Sequence, residues 1–211
     1  MLELGVGTGT FAVALARAGH EVVGLDASPR MLDRMRTKPG GDRVTPVLGD
    51  MADLGAALAA VGDDGAFDVV VAFTNTFTNL TTLADQRCCL RDVAARLVPG
   101  GALVLEMAVP DARAYPGGQA LRVAHVGVDH VVLQVAQYDP VQQVVDGATV
   151  VLGGIGQGVV VHPVRARNVS IVELDLMAEL AGLTIDGRYT DWTAAPYRDG
   201  VDHISVFRRH A

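Results

Sequence analysis

Seven residues, Glu3-Leu4-Gly5-Val6-Gly7-Thr8-Gly9, constrain the fold more than any other stretch, because an acid, Asp26, follows them at the end of the next apolar run. Met1 to Leu4 reads as the end of a strand. Thr10 to Ala18 carries Phe11, Leu15 and Ala18 at helical spacing, Gly19 stops that helix, and Glu21 to Asp26 forms a second strand. Glycines at alternate positions allow a sharp turn and let a ligand approach the backbone, while the helix that follows offers unpaired amide groups. Strand, glycine loop, helix, strand, acid is the opening unit of a parallel α/β sheet with a nucleotide-like ligand at its edge. A dinucleotide fingerprint needs glycine at the sixth place of G-x-G-x-x-G. Thr10 stands there, and the third glycine is Gly9, so a pyrophosphate loop is disfavoured.

The alternation continues. Ser28 and Pro29 open a second helix that runs to about Arg36, and Val44 to Leu48 is a third strand. Ala52 to Val61 reads as a weaker helix, Phe67 to Phe73 as strand four, and Ala102 to Met107 as strand five after the turn Pro99-Gly100-Gly101. Between these last two, Leu90, Val93, Ala94 and Leu97 trace a helical stripe. From about Leu121 the period becomes two, with Val131, Leu133 and Val135 alternating, a turn at Asp139-Pro140, a run to Leu152, and Val159 to Arg167 after a glycine-rich turn. This is an antiparallel meander over residues 119–168. Ser170 then caps a helix with Val172, Leu176, Leu180 and Leu183 on one face, and strands near Thr184 to Trp192 and His203 to Arg208 close the chain.

Length and composition fit one soluble domain over residues 1–211. Half of the residues are apolar, under a fifth are charged, and no apolar run is long enough for a bilayer, so a cytoplasmic protein without a membrane partner is expected. A net charge of −7 disfavours nucleic acid, whose partners present a basic stripe. Cys88 and Cys89 are adjacent, which rules out an ordinary disulfide between them or a four-ligand zinc site; they read as small buried hydrophobes, and no metal site is expected.

The candidate binding residues lie on three consecutive strand ends. Asp26 is placed to accept hydrogen bonds from both hydroxyls of a ribose. Gly49-Asp50-Met51 ends strand three at the same edge, where Asp50 can accept from an adenine amine and Met51 can pack on the ring. Glu3 faces the positively charged amino-acid end of such a ligand.

With these residues in view, the sequence resembles the class I S-adenosylmethionine-dependent methyltransferases. The resemblance rests on the glycine motif, Asp26 with Ala27-Ser28-Pro29 and Met31, Gly49-Asp50-Met51, Phe67-Asp68-Val69-Val70, and Leu97-Val98-Pro99-Gly100-Gly101. It covers residues 1 to about 107 well and the last forty more loosely. It implies S-adenosyl-L-methionine as cofactor and a Rossmann-like, mostly parallel sheet of seven strands in the order 3-2-1-4-5-7-6, with helices on both faces. It also implies cofactor contacts from Glu3, Gly5, Gly7, Gly9, Asp26, Ala27, Met31, Asp50, Met51 and Phe73. The meander resembles the insertion of small-molecule members, notably sugar-amine N-methyltransferases, and is expected to roof a substrate cavity or to form a homodimer surface. Members of the family ordinarily have an N-terminal segment that closes over the cofactor. This chain begins inside the motif, so either the start is misplaced or that lid is absent.

The implied reaction is methyl transfer to nitrogen or oxygen of a small molecule by in-line displacement, in which positioning alone supplies roughly 7 to 11 kcal/mol and a strong base is optional. Thr74-Asn75-Thr76 contains neither an Asn-Pro-Pro-aromatic motif nor a Pro-Cys nucleophile, and no metal-binding acid. Asn79 stands where similar sugar-amine enzymes carry histidine; it can orient but not deprotonate. Tyr115 and His162 are the candidates able to take a proton. Arg165 and Arg167 read as an exposed charged edge, and Trp192 either lines the cavity or packs on the last helix. The alternatives are a catalytically silent cofactor-binding protein without the lid and an NAD-dependent oxidoreductase.

Overall fold

The computed structural model describes residues 1–62, 65–200 and 202–210. Its elements follow in chain order as β1 (Leu2–Leu4), α1 (Thr10–Arg17), β2 (Val22–Asp26), α2 (Pro29–Thr37), β3 (Val44–Leu48), α3 (Leu54–Ala59), β4 (Phe67–Ala72), α4 (Leu83–Arg96), β5 (Leu97–Ala108), β6 (Gln119–Val126), β7 (His130–Asp139), β8 (Val144–Gly153), β9 (Val159–Arg167), α5 (Ile171–Leu180), β10 (Leu183–Tyr189) and β11 (Asp202–Arg209). The chain divides into two compact units, one of residues 1–109 and 171–211, the other of residues 110–170.

The first unit holds a seven-stranded sheet in the order β3-β2-β1-β4-β5-β11-β10. Numbered among themselves, these strands run 3-2-1-4-5-7-6, the implied order. Strands β1 to β5 are mutually parallel, and β11 pairs antiparallel with both β5 and β10. All of β1 is buried, with a neighbour on each side, as expected for the centre of a covered parallel sheet. Val13 and Ala16 of α1 share one core cluster with Leu32 and Met35 of α2 and with Val22 and Val44 of the sheet.

Local chemistry explains the boundaries. The Thr82 hydroxyl accepts from the Asp85 amide at 3.1 Å and starts α4. Ser28 occupies the N-cap position of α2 with Pro29 behind it, but its side chain makes no cap bond; instead its amide donates to Asp26 Oδ1 at 2.8 Å. Strand β5 takes in the expected turn at Pro99-Gly100-Gly101, because the pairing with β4 resumes at Ala102 after an irregularity between Phe67 and Val69. The expected apolar stripe of α5 is reversed: Leu174, Met177 and Ala178 are buried, and Val172, Leu176 and Leu180 face solvent. Apolar residues ring most of this helix, so their spacing alone could not choose a side. Cys89 is buried, and burial pushes its thiol far up, while Cys88 is half-buried.

The second unit is a four-stranded antiparallel sheet in the order β6-β7-β8-β9. Arg165 sits 3.4 Å from Asp146 on the neighbouring strand. Arg167, expected at an exposed edge, is instead buried and donates to Gln143 Oε1 at 2.6 Å. No helix among the described residues is long and apolar enough to cross a membrane.

Candidate functional site

The glycine loop leaves β1 at Leu4 and enters α1 at Thr10, with φ of +64° at Gly5, +55° at Gly7 and +75° at Gly9. The glycines serve different ends. A Cβ on Gly5 would lie 2.3 Å from Thr76 Cγ2, and one on Gly9 would lie 2.5 Å from Met35 Cγ, so both are closed in by neighbours. At Gly7 a Cβ would meet nothing nearer than the Gly5 carbonyl oxygen at 4.0 Å. Gly7 is the open side of the loop, where a ligand can reach the backbone.

Asp26, at the carboxyl end of β2, fixes that loop. Its Oδ2 accepts from the Gly7 amide at 2.7 Å and its Oδ1 from the Ser28 amide. One carboxylate thereby ties the glycine turn to the start of α2, and each oxygen keeps a further lone pair for a ligand. A cleft of about 380 Å³ opens beside it, lined by Gly5, Asp26, Ala27, Asp50, Met51 and Asn79 among others. Asp50 Oδ1 accepts from the Ala52 amide at 2.9 Å, which begins the short 3-10 turn Met51–Asp53 and leaves Oδ2 available. Asp85 lines the same cleft, and no lysine or arginine does. An acid-lined cleft suits hydroxyl and amine donors and repels a pyrophosphate.

Met31 is not among the residues that line this cleft. Leu32 and Met35 turn the inner face of α2 into the core, and Met31, about 100° away from Leu32, is left 41% exposed. Asn79, in the 3-10 turn Thr76–Asn79 after β4, lines the cleft beside Asp50 and Met51.

Glu3 lies at the middle of β1 and is 3% exposed. Burial pushes its carboxyl up to about 7, against a lowering hydrogen bond from the Ala12 amide in the first turn of α1. Among the described residues its Oε2 has no hydrogen-bond partner. A buried carboxyl with an orphaned oxygen is costly by itself and is relieved by a cationic donor.

A second cavity of about 350 Å³ lies where β5 ends and β11 begins, lined by Asn75, Glu106, Asp191, Trp192 and His203 among others. Glu106 accepts from the Thr74 amide at 2.8 Å and from Trp192 Nε1 at 3.1 Å. Ala108 donates its amide to Asn75 Oδ1 at 2.5 Å. These bonds hold Thr74 and Asn75 at φ of 48° and 62°, a left-handed pair without glycine. Phe73 is stacked on Phe11 at 4.2 Å between ring centroids and tilted against Trp192 at 5.4 Å, which joins α1, the end of β4 and the segment after β10 in one aromatic row.

His203 is 1% exposed, and burial with the nearby Arg188 charge lowers its pKa to about 4. Its Nδ1 lies 2.9 Å from Ser205 Oγ, which accepts from Arg188 Nε at 2.8 Å, and Arg188 pairs with Asp175. Nε2 has no partner. Sequence reading missed Glu106 and His203. The available signal was slight: one acid at the carboxyl end of the apolar run Ala102–Met107, and one histidine in the apolar run that closes the sheet.

Tyr115 and His162 belong to the second unit. Tyr115 stacks on Tyr138 at 5.2 Å, and His162 is exposed on β9 opposite Thr149 of β8.

Residues 1–101 match the model of a methyltransferase domain family. The cypemycin N-terminal methyltransferase of a Streptomyces species is 33% identical over 198 residues, which is 93% of this chain and 77% of that protein. The chain belongs to the class I S-adenosylmethionine-dependent methyltransferases. The solved structure of the CcbJ methyltransferase from Streptomyces caelestis superposes on this methyltransferase with a TM-score of 0.88 at 34% identity, over 100% of this chain and 83% of that one. An amino pentose methyltransferase from Micromonospora echinaspora shares the fold, with a TM-score of 0.66 at 23% identity over 99% of this methyltransferase and 82% of that chain.

Proposed function

We propose that this methyltransferase binds S-adenosylmethionine along the glycine loop and the acid-lined cleft, and transfers its methyl group to nitrogen or oxygen of a small molecule. The observation that carries the reading is the pairing of Gly7, open toward a ligand, with Asp26, whose carboxylate is already oriented beside it. In this arrangement Asp26 holds the ribose hydroxyls, Asp50 the adenine amine and Met51 a face of the ring, with Ala27 and Gly5 completing the wall. Glu3 receives the ammonium group of the methionine end through its unpaired oxygen, the loop from Gly5 to Gly9 accommodates that end, and Phe73 borders it. The same acidic lining works against a dinucleotide and hence against a nicotinamide-dependent reaction.

The cofactor supplies a methyl group on a positively charged sulfur, and the chain's own residues supply placement. Alignment of acceptor and methyl carbon accounts for roughly 7 to 11 kcal/mol, so no strong base is required. Asn79 orients by hydrogen bonding, and Tyr115 and His162 are the groups offered for proton acceptance. The test is formation of S-adenosylhomocysteine from S-adenosylmethionine with a library of small amines and alcohols, alongside calorimetric binding of S-adenosylhomocysteine. With an acceptor in hand, single-turnover rates of His162→Gln and Tyr115→Phe are expected to fall by less than the 10² to 10⁴ typical of losing a general base. A thousandfold loss in either, at unchanged affinity, would show that proton abstraction limits the reaction. Binding without turnover would instead mark a silent cofactor-binding protein.

Glu3 adds a pH signature. Its folded-state pKa of about 7 lies above the ordinary 4.5, so ligand-free stability falls as pH rises through that window, where the unfolded chain has released a proton that the folded one still holds. The ligand's ammonium group prefers the ionised carboxylate, so affinity rises over the same range. Calorimetry with S-adenosylhomocysteine is expected to show binding about tenfold weaker at pH 6 than at pH 8, and Glu3→Gln is expected to remove that dependence. An unchanged pH profile in the variant would take Glu3 out of the site.

A further inference from the structure

The turn that follows β4 serves two cavities of the first unit. Thr76 and Asn79 line the acid-lined cleft, and the Thr76 methyl group closes in Gly5. Thr74 and Asn75, the two residues before Thr76, line the second cavity, between the end of β5 and the start of β11. Phe73 strengthens the link, since its ring stacks on Phe11 of α1 and tilts against Trp192, which also lines the second cavity. A molecule in that cavity is therefore neighbour to the ring that borders the methionine end in the reading above.

The second cavity offers two kinds of polar group. Glu106 is anchored from behind: one carboxylate oxygen accepts from the Thr74 amide and the other from Trp192 Nε1, and each keeps a further lone pair. Asp191 and Asp202 stand exposed at the rim, and among the described residues no lysine or arginine lines the cavity. An acidic lining alone would not define a ligand. His203 adds a second requirement. It lines the same cavity while buried, and its Nε2 has no partner among the described residues. Ser205 Oγ already accepts from Arg188 Nε and has His203 Nδ1 at 2.9 Å to receive its own proton, so the proton of the neutral ring is left on Nε2. A buried N–H without an acceptor is costly and is relieved by an oxygen.

We infer that this cavity holds the methyl acceptor, that Glu106 is the residue that selects it, and that the acceptor is an amine with a hydrogen-bonding oxygen on a neighbouring carbon. The inference rests on the cofactor reading given above and narrows it from nitrogen or oxygen to nitrogen. An ammonium group donates to Glu106 in a charge-assisted bond, and the face of Trp192 attracts the same charge. The neighbouring oxygen accepts from His203 Nε2. An alcohol can satisfy His203 but brings no charge to Glu106. In the reaction the bound ammonium gives one proton to solvent and its freed lone pair takes the methyl group, while the former carbon–sulfur bonding pair stays on sulfur. The product is again a cation and keeps its partner in Glu106.

Trp192 is the chain's one tryptophan, so its emission reports on this cavity. The test is a fluorescence titration of the full chain near neutral pH with saturating S-adenosylhomocysteine. The probes are leucinamide, its analogue with a hydroxyl in place of the amine, and isoamylamine, which lacks the carbonyl. Leucinamide is expected to bind about tenfold more tightly than the hydroxyl analogue and about threefold more tightly than isoamylamine. Glu106→Gln is expected to bring leucinamide and the hydroxyl analogue to equal affinity, Glu106→Asp to keep most of the preference, and Asp202→Asn, at the rim, to change it less than about twofold. Equal binding of these two probes by the wild-type chain, a preference that survives Glu106→Gln, or an equal loss in Asp202→Asn would overturn the role of Glu106. Leucinamide no tighter than isoamylamine would overturn that of His203. The wild-type probe order and Asp202→Asn decide even where circular dichroism shows Glu106→Gln unfolded. Calorimetry separates the two readings: a wild-type chain that does not bind S-adenosylhomocysteine would overturn the cofactor reading and this one with it, whereas normal binding with equal probes would overturn this one alone.

Discussion

Gly7→Val is expected to abolish binding of S-adenosylhomocysteine in a calorimetric titration carried to a hundred times the wild-type dissociation constant. Two effects combine. The residue sits at φ +55°, a conformation that costs a β-branched side chain about 1 to 2 kcal/mol or more. Its Cβ would also point into the open side of the loop, where the proposed ligand would meet the backbone. Gly19→Ala separates the two effects: Gly19 has φ +97° and open space around it, but lies at the far end of α1, so strain alone is expected to lower stability there and leave affinity unchanged. Wild-type affinity in Gly7→Val would mean that the loop is only a turn.

Asp26→Ala is expected to weaken the same binding by about 1.5 to 3 kcal/mol, or about 10- to 150-fold, for each charge-assisted ribose bond lost. The sequence alone suggests a variant that folds as the parent does. The structure corrects this, because both carboxylate oxygens accept from backbone amides and their removal leaves the Gly7 and Ser28 donors without that partner. Denaturant unfolding is therefore expected to show a further loss of about 1 to 3 kcal/mol. Asp26→Asn keeps one acceptor oxygen and should recover part of the stability while remaining weak in binding. A loss of stability with unchanged affinity would make Asp26 a structural tie and nothing more.

The parts legible in the sequence are those fixed by near neighbours. The turn at Gly5 to Gly9, the acid at the end of β2 and the alternation of β7 to β9 each express a local constraint, and local spacing reports them. Trp192 and Glu106 are 86 residues apart, and no local period predicts that an indole will donate to an acid across that separation. His203 is likewise invisible as a site residue, because its character comes from Ser205, Arg188 and Asp175, assembled from three elements. The α5 stripe fails for a related reason. A helix with apolar residues on several sides shows its period but not which side the sheet will cover, and only the packed sheet decides that.

The chain leaves the seven-stranded sheet after Val109 and returns to it at Ile171, so the segment between contributes no strand to that sheet. Changes to the inserted strands therefore take no rung out of the ladder that runs from β3 to β10, so residues 110–170 are the stretch in which insertions and deletions cost the larger sheet no strand pairing.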